Sequence, residues 1–91
     1  MLIVRWNEEA VGDPADIIRY IEERNEPAAR KLKLDITAAI ERLGDRPFLY
    51  RPGRVAGTRE AIVRPNYLIV YKVGDQFVDV LRILHAARQY A

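Results

Sequence analysis

The spacing of hydrophobic and polar positions along the chain predicts strands around a pair of amphipathic helices. A short run of β-branched and aromatic residues at 2–6 predicts a first strand. Apolar residues then recur every three or four positions, which predicts one helix from 13 to near 25 and a second from 27 to 43. We expect Asp13 to cap the first helix and Gly44 to end the second. Because almost no linker separates the two helices, they should form an αα-hairpin.

The second half of the chain is predicted to be a long loop followed by three strands. Residues 45–57 show no hydrophobic period and contain two prolines and two glycines, which predicts a loop. The predicted strands span 58–64, 67–73 and 76–84, joined by the turn pairs Pro65–Asn66 and Gly74–Asp75. The expected fold class is therefore α+β in the order β-α-α-β-β-β, with an antiparallel three-stranded meander and the helices packed on one face of a single sheet.

Both faces of the predicted meander are apolar. With two-residue turns, Ile62, Ile69 and Val80 form a row on one face, while Val63 and Leu68 lie on the other. Since two helices cover one face at most, we expect a second chain to pack on the uncovered face or edge of the sheet. The alternative is that the C-terminal tail or the long loop folds back over it.

Composition bounds the class of protein and excludes several kinds of site. Ninety-one residues, 49% of them hydrophobic and 31% charged, make one small domain, residues 1–91. The chain has no cysteine, no serine, one histidine, and threonine only at Thr37 and Thr58. This excludes disulfides, a Ser-His-Asp triad, a P-loop ending in Lys-Ser/Thr and a multi-histidine zinc cage. We expect neither a metal nor a cofactor. The N-terminal segment lacks the pattern of a signal peptide or membrane span, so we expect a cytoplasmic protein with no membrane partner.

The formal charge of +2 is unevenly distributed along the chain. Residues 1–45 carry 7 basic and 10 acidic side chains, whereas residues 46–91 carry 8 basic and 3 acidic ones. Twelve of the fifteen cations are arginine, whose planar guanidinium suits phosphate and carboxylate groups. The basic second half favours an anionic partner, either nucleic acid or an acidic protein segment, although an arginine-rich genome would give the same bias.

One candidate site lies on the predicted sheet. Arg64, Tyr67 and Arg82 share a row in the inferred pairing, where together they would be able to hold a phosphate or an acidic helix. The alternative is that they form a solvated rim of the sheet.

A second candidate site follows the last predicted strand, where His85, Arg88 and Tyr90 lie close together in sequence. The imidazole of His85 is suited to moving a proton near neutral pH, and an arginine is suited to stabilising a phosphorane transition state. The alternative for His85 is a packed histidine bonded to a neighbouring element, since no second titratable group stands at a fixed spacing from it.

The order of elements and six short segments give the whole chain a resemblance to a known family. The segments are WNEEA (6–10), DIIRYI (16–21), RPGR (51–54), GTRE (57–60), NYLIVYKV (66–73) and ILHAAR (83–88). Over residues 1–90 the chain resembles the RelE/ParE superfamily of type II toxin–antitoxin toxins. The resemblance implies a compact α+β fold, growth arrest by the free toxin, and an antitoxin encoded beside it that wraps it in an oligomeric complex.

The resemblance does not decide the cellular target, so the local residues are compared with the patterns of the two activities found in the family. Members that resemble RelE cut messenger RNA on the ribosome, whereas members that resemble ParE poison DNA gyrase. In the nuclease pattern an arginine follows the aromatic residue that opens the penultimate strand; here Leu68 stands in its place. Lysines are expected on the preceding strand, which offers Glu60, Ala61 and Ile62. These replacements remove the positive charge that phosphoryl transfer needs, so we expect the ParE-like activity.

The residues expected to contact gyrase or the antitoxin are Arg59, Arg64, Tyr67, Arg82, His85 and Arg88. The alternative is a ribosome-dependent mRNA endonuclease, in which His85, Arg88 and Tyr90 would be catalytic. A third interpretation is a non-toxic protein-binding module.

Overall fold

The computed structural model describes residues 1–64 and 66–86, and in them two helices pack on one face of a five-stranded sheet. The α+β fold class predicted from the sequence is confirmed. The strands and helices are β1 (Ile3–Trp6), α1 (Asp13–Glu22), α2 (Glu26–Asp45), β2 (Arg51–Pro52), β3 (Arg59–Val63), β4 (Tyr67–Val73) and β5 (Phe77–His85), with a 3-10 turn at Glu8–Ala10. No helix of the described residues is long and apolar enough to span a membrane.

The helix boundaries differ from the prediction in ways that the hydrogen bonds explain. The first helix ends at Glu22, before the predicted limit, and Asn25 caps the second by accepting a hydrogen bond from the Ala28 amide at 3.1 Å. The prediction that Asp13 caps α1 is wrong. Asp13 is the first residue of the helix, Gly12 occupies the cap position, and the Asp13 carboxylate binds the sheet instead.

The prediction that Gly44 ends α2 as a cap is also wrong, because the helix continues through Gly44 to Asp45. Strand β1 passes close to this turn, and the Leu2 amide donates a hydrogen bond to the Gly44 carbonyl at 2.9 Å. A Cβ at position 44 would lie 2.8 Å from the Leu2 carbonyl oxygen. The glycine is therefore needed for the close approach of strand and helix.

The strands lie in the order β1-β5-β4-β3-β2, so β1 and β2 are the edge strands on either side of the meander. Strand β1 runs parallel to β5, and all other pairs are antiparallel. Strand β2 falls inside the predicted loop, where Arg51 pairs with Glu60 and Pro52 with Arg59. Two residues in an irregular segment give no period from which to predict a strand.

The predicted pairing of β3 with β4 is wrong by one residue. Val63 pairs with Tyr67 and Ala61 with Ile69, so three residues rather than two separate the strands; Pro65 of the predicted turn lies outside the described residues. A shift of one residue moves every side chain of β3 to the opposite face. Ile62 is consequently 55% exposed and is not in the predicted row with Ile69.

The predicted two-residue turn at Gly74–Asp75 is wrong, because Val73 pairs with Val78 and four residues separate them. A bulge then shifts the pairing of β4 with β5 further. Tyr71 pairs with Val80 but the preceding Val70 pairs with Arg82, so β5 has one extra residue at this point. Beyond the bulge, Ile83 and His85 share the helix-covered face with the core of the sheet.

The core lies between the helices and the sheet. Its buried members are Ala10, Leu32, Ile36, Ala39, Leu43, Ala61, Val63, Tyr67, Ile69, Tyr71, Val78, Val80 and Ile83. On the other face, Leu68, Val70 and Leu84 are no more than 7% exposed. The expectation of a broadly exposed apolar face is therefore wrong at its centre, and Ile62 is the exposed apolar residue that this face presents on β3.

Candidate functional site

Arg82 is held by the start of the first helix. Its Nε and Nη2 atoms donate to the two Asp13 carboxylate oxygens at 2.8 and 3.2 Å, and the Ile83 amide donates to the same carboxylate at 2.8 Å. Strand β1 ends before this part of β5, so Asp13 supplies the acceptor that a neighbouring strand would otherwise provide. The hydrogen bonds that Arg82 donates to Asp13 raise the pKa of Arg82, and burial opposes that shift. Arg82 is therefore a fixed cation at the sheet edge.

Tyr67 and His85 are paired across β4 and β5, on the face that carries the helices. Their rings meet edge to face with centroids 5.4 Å apart. Tyr67 is 6% exposed, and His85 is partly exposed. This geometry fits the alternative that the sequence analysis gave for His85, a histidine packed against a neighbouring element. It places the imidazole of His85 beside the phenol ring of Tyr67.

The predicted row of Arg64, Tyr67 and Arg82 does not form. Arg82 pairs with Val70 and lies on the opposite face from Tyr67, while Arg64 lies in the turn after β3. The cause is the register, because the three-residue connection between β3 and β4, the four-residue connection between Val73 and Val78, and the bulge each displace the predicted neighbours.

Arg59 is fixed under the 46–58 loop. Its Nη1 donates to the Tyr50 carbonyl at 2.7 Å, and its guanidinium carbon lies 4.8 Å from the centroid of the exposed Phe48 ring. Arg88 and Tyr90, the remaining predicted site residues, lie outside the described residues.

A buried carboxylate stands on the same strand, and the sequence analysis missed its role. Glu60 is 3% exposed; Arg51 lies 3.1 Å from its Oε1, and the Arg54 amide donates to its Oε2 at 3.2 Å. These contacts tie the loop to β3. An acidic residue followed by Ala61, Ile62 and Val63 in a short strand is the signal in the sequence, since a carboxylate is seldom buried without partners.

Tyr71 connects the same loop to the core. Its hydroxyl donates to the Pro47 carbonyl at 2.6 Å, and its ring meets the Tyr50 ring edge to face at 6.4 Å. Burial raises the pKa of Tyr71 to about 12, an effect that the nearby Arg59 charge partly offsets.

The arrangement presents charges that are fixed by contacts within the chain. No group of three or more His, Cys, Asp or Glu side chains in residues 1–64 and 66–86 is placed to bind a metal ion. Leu68 is buried on β4, and the neighbouring charged side chain on β3 is the carboxylate of Glu60. The arginines of the sheet, Arg59 and Arg82, are held by partners within the chain.

Comparison with known proteins identifies the family. A family model described as the ParE toxin of the type II toxin–antitoxin system, parDE, matches residues 4–90. The chain belongs to this family of ParE toxins. It is a toxin of the type II toxin–antitoxin kind, as the resemblance in the sequence had predicted.

Two relatives of this ParE-family toxin span nearly its whole length. The putative toxin Y4kP of Sinorhizobium fredii is 32% identical over 88 residues, covering 96% of this chain and 91% of the relative. Toxin RelE2 of Caulobacter vibrioides is 37% identical over 90 residues, covering 97% and 99%.

Solved structures support the same fold. The toxin chain similar to this one in the chromosomal ParDE system of P. aeruginosa has a TM-score of 0.81 at 24% identity, covering 93% of this toxin and 96% of that chain. A chain of the RelBE2 toxin–antitoxin complex of Mycobacterium tuberculosis has a TM-score of 0.61 at 22% identity, with 92% and 96% covered. At these identities the likeness concerns the fold.

Proposed function

We propose that this toxin arrests growth by binding DNA gyrase and trapping its cleaved-DNA state, without cutting RNA itself. The observation that carries the proposal is the pair of residues at the centre of the sheet. Where the RelE-like nuclease pattern has cations, this toxin has the buried Leu68 and the buried carboxylate of Glu60.

The charge of Glu60 is what opposes a nuclease mechanism at this position. Cleavage of a phosphodiester builds negative charge on the phosphate oxygens, and enzymes stabilise it with cations or hydrogen-bond donors. A carboxylate repels that charge, and Glu60 already draws Arg51 and the Arg54 amide toward itself. Arg51, the cation that contacts Glu60, therefore stabilises the fold instead of a scissile phosphate.

A binding mechanism makes use of the charges that are fixed in place. Arg82 is held by Asp13, and Arg59 by the Tyr50 carbonyl, so neither side chain needs to be ordered when a partner arrives. Pre-organised arginines favour a partner with acidic or phosphate groups. The match to the ParE family model over residues 4–90 supports gyrase as that partner.

The same proposal includes neutralisation by an antitoxin. The solved relatives include a ParDE system, the RelBE2 complex and the E. coli DinJ–YafQ complex. We infer a cognate antitoxin whose carboxylates face Arg59, Arg64 and Arg82, and which covers the toxic surface as part of an oligomeric complex.

A ribosome-dependent mRNA endonuclease is the second candidate, favoured by one geometric feature and one relative. His85 lies at the end of β5 with its ring 5.4 Å from that of Tyr67, and toxin RelE2 is 37% identical. In that mechanism His85 would move a proton during cleavage, with Arg88 and Tyr90 as further catalytic residues.

Two assays on one protein preparation separate the candidates. Purified gyrase is tested for plasmid supercoiling, and translating ribosomes are tested for message cleavage by primer extension, each with the native toxin and with His85→Gln. We expect loss of supercoiling and intact messages with both proteins, with at most a weaker inhibition of gyrase by His85→Gln. Codon-positioned cuts that His85→Gln abolishes, with normal supercoiling, would overturn the proposal.

A further inference from the structure

The outer edge of β3 is open for part of its length. Strand β2 covers only Arg59 and Glu60. The Gly53 amide donates to the Thr58 carbonyl, so the backbone groups of residues 58 and 60 point toward β2. In an antiparallel ladder this direction alternates along the strand, so the N–H and C=O of Ile62 point the same way.

Strand β2 does not extend far enough to meet Ile62. The residue that would face it is Leu49, whose amide instead donates to the Arg46 carbonyl at 3.1 Å within a turn. Within residues 1–64 and 66–86, no strand pairs with Ile62 on this side. The edge therefore offers one amide and one carbonyl to an incoming chain.

A cleft of about 340 Å³ runs along this edge, between β3 and helix α2. The residues that line it are Lys31, Asp35, Ala38, Ala39 and Arg42 of α2 and Ile62, Val63 and Arg64 of the strand and turn. The two alanines keep the middle of the cleft clear of long side chains. Lys31 and Arg42 are eleven positions apart on the helix, about 16 Å, which matches about five residues of extended chain.

The charge of the cleft is positive. It holds three cations and one acid, and that acid, Asp35, lies 3.4 Å from Lys31. Arg64 makes no ion pair with any other residue of the described chain and is exposed. A partner that brings carboxylates is thus favoured over a neutral or basic one.

The two faces of the sheet differ in polarity at this edge, and this difference predicts which side chains a partner strand should carry on each face. Lys31 and Arg42 lie on the helix side, whereas Ile62 is 55% exposed and lies on the opposite face of the sheet. Side chains of an added strand alternate between these two faces. Carboxylates on one face and apolar groups on the other would meet the cations and Ile62 respectively.

From these features we infer that the β3 edge binds an extended acidic segment of a protein partner, in which acidic and apolar residues alternate, as an added antiparallel or parallel strand. The inference rests on the proposed neutralisation by a partner protein. It assigns the outer edge of β3 as the place where that partner adds a strand. Main-chain hydrogen bonds to Ile62 supply part of the affinity, and Lys31, Arg42 and Arg64 select the acidic residues.

A labelled heptapeptide of alternating glutamate and valine tests the inference by fluorescence polarisation. We expect binding to the native toxin that weakens with salt, about tenfold weaker binding to Lys31→Glu/Arg64→Glu, and unchanged binding to the control Arg19→Glu on α1. A heptapeptide of alternating lysine and valine should not bind. Both charge variants alter exposed side chains, and thermal unfolding checks that they remain folded.

Amide hydrogen exchange tests the strand addition itself. In the free toxin the Ile62 amide should exchange faster than those of Ala61 and Val63, which face β4. Peptide binding should slow exchange at Ile62. Equal affinity for the native toxin and Lys31→Glu/Arg64→Glu, no binding at about 1 mM peptide, or an unprotected Ile62 amide in the complex would overturn the inference. Because neither assay contains gyrase, inhibition of supercoiling by a toxin that fails to bind the peptide would leave the proposed function standing.

Discussion

At the residue scale, burial of Tyr71 links the stability of the toxin to alkaline pH. The neutral phenol donates to the Pro47 carbonyl, and the pKa of Tyr71 is raised from its ordinary value of 10.0 to about 12. A raised pKa means that the fold favours the protonated form. The stabilisation is therefore complete below pH 10 and is lost as the pH rises toward about 12.

Tyr71→Phe provides the test of this linkage. The substitution should lower the free energy of unfolding near neutral pH by about 1 kcal/mol, since the Pro47 carbonyl loses its donor. It should also flatten the decline in stability above pH 10 that urea unfolding detects in the native protein. Tyr20→Phe, at a residue that is 45% exposed, is the matched control. An equal decline in native protein and Tyr71→Phe would contradict the assignment.

Asp13 supports a second residue-scale prediction. Asp13→Ala leaves the Ile83 amide without its acceptor and Arg82 without its ion partner, so we expect a loss of about 1–3 kcal/mol in urea unfolding. Asp13→Asn retains one acceptor oxygen and should lose less. Asp16→Ala, on the same helix at a side chain that is 73% exposed, should change stability by less than about 1 kcal/mol. Equal effects at the two positions would show that the contact to β5 adds little.

At the element scale, the close approach of β1 to α2 reverses what helix propensity predicts. Alanine is favoured over glycine inside a helix by about 1 kcal/mol, yet a Cβ at Gly44 would lie 2.8 Å from the Leu2 carbonyl oxygen. We expect Gly44→Ala to lower the melting temperature, with a cost of about 1–3 kcal/mol as strand and helix move apart. In Gly12→Ala the nearest atom would lie 4.0 Å away, so this control should cost only the small preference of the N-cap position for glycine, and less than Gly44→Ala. A stabilised Gly44→Ala would contradict the packing described.

The sequence predicted the elements better than their pairing. Apolar spacing and proline positions located both helices and the three long strands, because these signals are local. Registers depend on the exact length of a turn and on bulges. One extra residue between Val63 and Tyr67 exposed Ile62. Two extra residues between Val73 and Val78 and the bulge in β5 together separated Arg82 from Tyr67.

The candidate site was predictable only where its signals are local in sequence. The presence of Leu68 and Glu60 on the central strands was evident from the segments that resemble the family, and both residues are buried. The partners of these residues were not evident. Asp13 reaches Arg82 and Ile83 across about seventy positions of sequence, and no local pattern carries such a contact.

At the scale of the whole molecule, some arginines stabilise the fold through ion pairs and others are exposed to an incoming partner. Arg51 stabilises the fold through Glu60, whereas Arg82 does so through Asp13 and is also one of the fixed charges proposed to meet a partner. Arg64 makes no ion pair among the described residues and belongs to the second kind. We therefore expect Arg64→Ala to leave the melting temperature nearly unchanged while it weakens binding of an acidic partner, whereas Arg82→Ala should lower both.

The most direct measurement of the central claim is the capture of cleaved DNA. Gyrase, negatively supercoiled plasmid and the purified toxin are incubated and then quenched with detergent and protease, and linear plasmid is quantified on a gel. If the toxin traps gyrase, linear DNA should accumulate with toxin concentration and should persist with His85→Gln. If no linear DNA forms while the same toxin cuts messages on translating ribosomes, the claim that this toxin acts by binding gyrase is contradicted.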